Sequence, residues 1–398
     1  MKIEKMLCSF CNLYFFGSQD ILSSETGGKI CRNCSKLAYF NFRKEKEEKD
    51  KERQVFSPFL IKDYLDRFVV GQDVAKEVLS VICYRHLLRI NSKSKILRKH
   101  NLMFLGPSGT GKTYLVETAA KLLNLPFAKF DVASATQTGY IGSSVSDAIT
   151  KNLFENSNRN IELCQKGIVF FDEIDKIGNY STEYNNHSTP VGKGVQQNLL
   201  RLVEGTKVSL ESFPFMSQSK FNDKITIDTS NILFIFAGVF SSITDSNLLI
   251  QKNKTKEEIY FSLNERKRES YESFIEAERI VDFGFLEEIV GRISLFVRLF
   301  PLNKKQLKEI IFETEKPIIN DYYEYFKIAN ITLELTDSLV NYIIVKSKFN
   351  QFGARGLHHA FNEVLINYIY RIQEYKKKKI KKIILDYKFK KVCCKFLK

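Results

Sequence analysis

Eight residues, Gly106-Pro107-Ser108-Gly109-Thr110-Gly111-Lys112-Thr113, limit what this chain can fold into more than any other segment. They match the pattern GxxxxGK followed by Ser or Thr. A short apolar run, Asn101 to Leu105 (NLMFL), precedes them, and an apolar-periodic stretch, Thr113 to Leu123, follows. The run reads as a buried strand and the periodic stretch as a helix, so the order is strand, glycine-rich loop, helix. Glycines let backbone N–H groups wrap phosphate oxygens, and the helix N-terminus adds a favourable dipole. Lys112 is expected to reach the β/γ-phosphates of a nucleotide, and the Thr113 hydroxyl to hold Mg²⁺.

Hydrolysis needs a second, acidic strand. Gly167 to Phe171 (GIVFF) reads as a buried strand ending in Asp172-Glu173, 60 residues after Lys112. Asp172 is expected in the Mg²⁺ shell and Glu173 to orient and polarise the attacking water. The plain alternative is a strand ending in two solvated acids; the loop upstream argues against it. Asp175 is assigned to the turn rather than to the chemistry. A third apolar strand, Asn231 to Ala237 (NILFIFA), follows Asp228-Thr229-Ser230. These segments imply an α/β fold: a P-loop domain with a parallel sheet, helices on both faces, and nucleotide at the carboxyl ends of the strands.

The cysteines describe a different module. Cys8-x2-Cys11 and Cys31-x2-Cys34 stand 19 residues apart, the spacing of a tetrahedral four-cysteine zinc site. Two disulfides would use the same residues. The chain has no basic-then-apolar leader, however, and a reducing compartment favours zinc. Four protein ligands leave no open position, so the role is structural. Cys83, Cys164, Cys393 and Cys394 have no ligand spacing and read as buried or incidental thiols. Arg43 to Arg53 (RKEKEEKDKER) is nearly all charge and reads as a solvated linker or exposed helix extension.

A length of 398 residues suggests two or three domains, and 44% hydrophobic residues with 33 Phe and 18 Tyr argue for real cores. The longest apolar run, Ile232 to Phe240, has nine residues. A membrane span needs roughly 18, so neither a membrane nor a secreted protein is expected. The net charge of +15 favours acidic partners, nucleic acid included, or simply records a lysine-rich composition.

Further segments fall in a telling order: Asp66-Arg67-Phe68-Val69-Val70-Gly71-Gln72, Gly139-Tyr140-Ile141-Gly142, Gly194-Val195-Gln196-Gln197 with Leu200 and Glu204-Gly205-Thr206, Gly291-Arg292, and Gly353-Ala354-Arg355-Gly356-Leu357. With the cysteine pairs and the P-loop, they make the chain resemble the ClpX family of AAA+ unfoldases, the ATPase partners of the ClpP peptidase. The resemblance spans nearly the whole chain. It implies ATP, Mg²⁺ and Zn²⁺ as cofactors, an ATPase that is not itself a peptidase, and a homo-hexamer. It implies a nucleotide site of Gly106 to Thr113, with Val69 and Val70 lining an adenine pocket. Arg292 is implied as an arginine finger acting on a neighbour's γ-phosphate. Arg355 is implied as the sensor that reports nucleotide to the C-terminal domain. Tyr140, with Ile141, is implied as a pore loop that grips unfolded or tagged protein. A cytoplasmic, bacterial-type setting is implied; an organelle of bacterial origin is the other possibility.

On this reading residues 1–42 are the zinc module, 43–56 a charged linker, 57–300 the AAA+ large domain and 301–398 a small helical domain. In the last, Lys304 to Lys327, Thr336 to Lys348 and His358 to Tyr375 read as helices, and Lys382 to Phe389 as a strand. His358 and His359 read as polar surface or packing residues, and Lys376 to Lys379 as a solvated helix end. Three departures from the family stand out. The interval Val239 to Val290 lacks the Ile-Gly-Phe-type tripeptide of the peptidase-docking loop; Phe283-Gly284-Phe285 abuts the finger helix and is not counted. Lys207 to Lys224 lacks the basic Arg-Lys-His pore-entrance loop. Lys193 stands where an acid is usual. The readings left open are delivery to ClpP, a remodelling chaperone that docks no peptidase, a basic AAA+ nucleic-acid motor, and a nucleotide-binding scaffold without turnover. The glycine-flanked Tyr140 and the lack of a DNA-binding helical motif argue against the motor.

Overall fold

A computed structural model describes residues 5–10, 14–16, 21–23, 27–32, 34–35, 56–92, 96–132, 143–178, 190–210, 225–244, 273–347 and 352–397. The chain divides into two units, Met1–Phe56 and Ser57–Lys398. Cys11, the linker 43–53 and the segment 139–142 lie outside the described residues, as do most of the two loop intervals.

The first unit holds two antiparallel ribbons. β1 (Lys5–Leu7) pairs with β2 (Tyr14–Phe16), and β3 (Ile21–Ser23) with β4 (Lys29–Cys31). Three-residue strands make no core of their own. The described buried cluster is Cys8, Ile21 and Cys31, with Cys34 against it. A unit this small needs a staple to stay folded.

The second unit opens with α1 (Pro58–Phe68), which has Pro58 in its first turn and is capped by the Ser57 hydroxyl, acceptor of the Leu60 N–H at 3.2 Å. α2 (Asp73–Asn91) leads to β5 (Asn101–Leu105). There follow α3 (Lys112–Leu123), β6 (Phe127–Asp131), α4 (Ser143–Asn156), α5 (Ile161–Cys164), β7 (Ile168–Asp172) and α6 (Pro190–Glu204). The hairpin β8 (Lys207–Leu210) and β9 (Ile225–Asp228) precedes β10 (Leu233–Gly238). Short helices α7 (Ser241–Thr244), α8 (Ala277–Asp282) and α9 (Glu287–Val290) bring the chain to β11 (Ile293–Arg298).

Five strands form one parallel sheet in the order β11-β5-β10-β7-β6. The central strands β5, β10 and β7 are buried on both faces, which is why they read as unbroken apolar runs, whereas the edge strand β6 exposes Lys129 and Asp131. On one face Phe171 stacks with Phe234 and Phe236 at 5.9 and 5.1 Å, beneath Leu199, Leu202 and Val203 of α6. The third strand starts at Leu233, later than the apolar run suggests. The Asp228 carboxylate accepts the Ser230 N–H at 2.8 Å and caps a short 3₁₀ turn over Thr229–Asn231. Cys83 and Cys164 are buried, and burial pushes their thiols up to about 12 and about 11.

The remainder packs around a second core. α10 (Lys304–Phe312) is closed by an Asn303–Gln306 capping box, and α11 (Ile318–Ile328) follows. The single helix expected over Lys304 to Lys327 is therefore two. Pro317 has no N–H for an i−4 bond and its ring clashes with the preceding turn, so the chain breaks there. β12 (Thr332–Leu335), α12 (Asp337–Lys346), α13 (Arg355–Tyr370), α14 (Ile372–Lys377), β13 (Lys382–Lys388) and β14 (Lys391–Leu397) complete the unit. The region is not purely helical: β12, β13 and β14 form a mixed three-stranded sheet, of which only β13 is legible as a strand in the sequence. The helix expected over His358 to Tyr375 starts earlier, at Arg355, and is interrupted at Arg371. Among the described residues no helix is long and apolar enough to cross a membrane.

His86, on α2, is buried and its Nε2 lies 2.9 Å from the Lys166 carbonyl oxygen. Burial, with repulsion from Lys99 and Arg89, pushes the imidazole from 6.5 down to about 4, although the Lys166 carbonyl pulls the other way. A depressed imidazole favours the neutral folded form. Its contribution is full above pH 6.5 and is lost as pH falls from 6.5 towards 4, up to about 3 kcal/mol. Arg85, Arg98 and His100 line the same spot and add no carboxylate. Denaturant unfolding at pH 7.5 and 4.5 should show His86→Gln losing less stability on acidification than the wild type. Equal losses would mean that His86 is not the titrating group.

Candidate nucleotide site

The loop between β5 and α3 is shaped by glycines at positive φ. Gly109 (φ +74°) lies so close to the α13 approach that an added Cβ would sit 2.1 Å from the Phe352 carbonyl oxygen. Gly111 (φ +95°) precedes α3, and no side chain caps this helix start, an arrangement suited to anion binding. Lys112 is buried, and its ammonium donates to the Gly106 and Pro107 carbonyls at 2.6 and 2.8 Å. Burial lowers it to about 8, with Arg355 pushing the same way and Asp172 opposing, so it stays charged at neutral pH.

β7 ends at Asp172, whose Oδ2 accepts the Thr113 hydroxyl at 3.2 Å and meets the Lys129 ammonium at 2.8 Å. Burial raises this carboxyl, but the Lys129 ion pair, with help from the Glu173 N–H and Lys112, outweighs it and holds the group below its ordinary value. Glu173 is exposed, with φ +56°. A non-glycine residue there is strained, and such strain collects at functional sites. The 3₁₀ turn behind it anchors through buried Ile174 and Ile177. Buried Asp175 accepts the Val239 N–H at 3.2 Å, tying this turn to the end of β10.

A cavity of about 690 Å³ joins these groups. Its polar end is formed by Ser108 to Thr113, Asp172, Glu173 and Arg355. Its apolar lining comes from Val69 and Val70 after α1, with Leu302, Ile310 and Ile318, and the α10–α11 corner adds the polar residues Glu315, Lys316, Asn320 and Asp321. Gly106 and Pro107 are not among the lining residues; their carbonyls hold Lys112 instead. Arg355, the first residue of α13, donates from Nη1 to Ser108 Oγ at 3.2 Å, and the Ala354 N–H donates to the Gly109 carbonyl at 3.1 Å. The second core is thus hydrogen-bonded directly to the P-loop. Sequence reasoning missed Ile310, Ile318 and His358 on this wall. Pro317 was the available signal: the break it makes turns the α10–α11 corner into the cavity.

Arg292 is not brought to the cavity. It precedes β11, beside the start of β5 and so at the opposite end of the sheet from the P-loop, about 17 Å away along the five residues of β5. Its guanidinium instead pairs with Glu204 at 2.6 Å. Gln196 is fully buried, donating to the Ile177 and Gly284 carbonyls and accepting the Leu286 N–H; it braces the fold and lies away from the site.

In the first unit the sulfurs of Cys8, Cys31 and Cys34 lie within 4.8 Å of one another. The Cys31 N–H donates to Cys8 Sγ and the Cys34 N–H to Cys31 Sγ. Thiolates around zinc stand about 3.8 Å apart, so this donor set fits a zinc ion. Thr113 and Asp172 offer hard oxygens 3.2 Å apart, which fit Mg²⁺.

The sheet order and the loop define the class, and a family comparison agrees: the AAA domain (Cdc48 subfamily) matches residues 97–296. The chain is an ATP-dependent ATPase of the AAA class and not a peptidase. It is 33% identical over 394 residues to the ATP-dependent Clp protease ATP-binding subunit ClpX of Borrelia duttonii (strain Ly), covering 95% of this chain and 89% of that protein. With the protein of the same name from Treponema denticola it shares 32% over 386 residues, 94% of this chain and 92% of that protein. A ClpX 2 from Wolinella succinogenes is 33% identical over 379 residues, 93% and 92% respectively. The chain belongs to the ClpX family.

Proposed function

We propose that this protein is a ring-forming, ATP-driven protein unfoldase. The observation that carries the reading is the convergence of the P-loop, Asp172, Glu173, Arg355 and the Val69–Val70 wall on one cavity, with Arg292 facing away from it. Adenine takes the apolar end, and the phosphates take the loop and the Lys112 ammonium. Glu173 orients the attacking water. Mg²⁺, held by Thr113 and Asp172, neutralises phosphate charge when bound. Arg292 supplies a guanidinium to the next subunit's site, which requires a ring; the family relation favours a homo-hexamer. Arg355, bonded to Ser108, passes the state of the loop to the 301–398 domain, which turns against the 57–300 domain. Tyr140 and Ile141 grip the substrate chain on the strength of the family resemblance. Cys8, Cys11, Cys31 and Cys34 would hold a zinc ion, which would cross-link the 1–42 module, and residues 43–56 tether it. The setting is cytoplasmic.

Delivery to ClpP is the family's role, and the name of the relatives supports it. One observation favours a second reading, a remodeller without a peptidase: Val239 to Val290 holds no Ile-Gly-Phe-type tripeptide. Co-sedimentation with the peptidase rings of the same source, in a slowly hydrolysed ATP analogue, separates the two. Co-migration is expected if the interval docks by an altered motif. Separate peaks, with the ATPase ring assembled, would establish the remodeller. Stimulation of ATPase by unfolded protein is expected in both cases. Salt-sensitive stimulation by DNA alone would overturn the unfoldase reading.

A further inference from the structure

Lys129 lies on β6, paired in register with Phe170 of β7, and Asp131 is paired with Asp172. Register partners point to one face of a sheet, so Lys129 starts beside Phe170 and must reach two residues forward to meet Asp172. Two residues of strand are about 6.6 Å, the span of an extended lysine stem. The stem makes that reach: its ammonium stands 2.8 Å from Asp172 Oδ2. The same oxygen accepts the Thr113 hydroxyl at 3.2 Å, while Oδ1 accepts the Glu173 N–H at 3.1 Å. Asp172 is mostly buried, at 13% side-chain exposure, and Lys129 is half exposed at 42%. The oxygen best placed to serve a metal together with Thr113 is therefore the one that a protein cation occupies.

We infer that Lys129 is a positioning residue that competes with the divalent cation for Asp172 and so sets how much metal the nucleotide site requires. The inference rests on the proposed role of Asp172. While the ammonium is on Oδ2, it keeps the carboxylate turned towards Thr113. When a divalent ion arrives, directly or through one of its waters, the ammonium must withdraw or stand against a like charge. In either case the cost falls on metal affinity and not on phosphate binding by the P-loop. A half-exposed charge pair of this kind changes an affinity by about fivefold.

The test is Mn²⁺ binding to the full chain at saturating ADP, read by electron paramagnetic resonance, so that turnover plays no part. Lys129→Met, which keeps the stem and removes the charge, is expected to lower the Mn²⁺ dissociation constant about fivefold. Lys129→Arg, which keeps the charge, should stay within about twofold of the wild type. Asp172→Asn is the control and should weaken Mn²⁺ binding by about tenfold or more. An unchanged or weaker constant in Lys129→Met, with the control behaving, overturns the Lys129 inference alone. Equal tightening in Lys129→Met and Lys129→Arg also overturns it, because charge would not be the cause. An unaffected Asp172→Asn removes Asp172 as the ligand and takes both readings down.

Discussion

Replacing Glu173 by Gln is expected to cut ATP turnover by about a hundredfold or more while leaving nucleotide affinity within about threefold. The substitution keeps the size and the hydrogen-bonding reach of the side chain and removes only its negative charge and proton affinity. Nothing else should move. The residue is exposed, so no packing is lost, and its backbone is fixed between the last residue of β7 and a turn anchored by buried Ile174 and Ile177. Asp172, Thr113 and Lys112, which meet the metal and phosphates on this reading, are untouched. Single-turnover hydrolysis, paired with equilibrium binding of a fluorescent ATP analogue, reads the two quantities separately. A rate within about tenfold of the wild type would sink the assignment and leave a site that binds without using Glu173. A loss of binding instead would mean that the carboxylate holds nucleotide rather than water.

Arg292→Ala should have a still larger effect on turnover, about a thousandfold or more, with nucleotide affinity of the subunit's own cavity preserved. The geometry gives the reason. Asn101 Nδ2 donates to the Arg292 carbonyl at 2.9 Å and Asn101 Oδ1 accepts the Phe234 N–H at 3.2 Å, so the backbone is pinned to the start of the sheet. The side chain points away on the surface, with 55% of it exposed, and its Glu204 partner is 41% exposed. A pair that open contributes no more than about 1 kcal/mol and yields readily to a phosphate. Mixing is the decisive experiment. Arg292→Ala subunits keep an intact site, and Glu173→Gln subunits keep an intact finger, so co-assembled rings should recover part of the activity that each variant lacks alone. Absence of recovery in rings verified as mixed would mean that Arg292 does not act in trans.

The glycine-rich loop, the acidic strand end and the two valines Val69 and Val70 were legible in the sequence, and all of them line or flank one cavity. They were legible because each is local: a strand, the turn after it, and the residue types that the turn requires. The paired spacing of the cysteines is likewise local, and three of the four, Cys8, Cys31 and Cys34, lie together. What escaped was long-range. β12 is a four-residue strand with alternating exposure, and β14 pairs with β13 alone and buries no residue fully, its short apolar pieces broken by Lys395, so neither carries the long apolar run that marks a buried strand. The α10–α11 corner, roughly 200 residues from the P-loop, becomes a cavity wall only because Pro317 breaks a helix that periodicity alone would have continued.

The sequence by itself therefore determined the class of chemistry and the residues proposed for it, because a phosphate loop and a carboxylate pair are short-range patterns with little freedom of placement. The tertiary structure decided which charges those residues meet. Lys129 on Asp172, Arg355 on Ser108 and Glu204 on Arg292 bring together residues 43, 247 and 88 positions apart. No spacing rule connects such pairs. They are set by strand register, by the seating of a helix on a loop, and by the end of the sheet on which a side chain emerges.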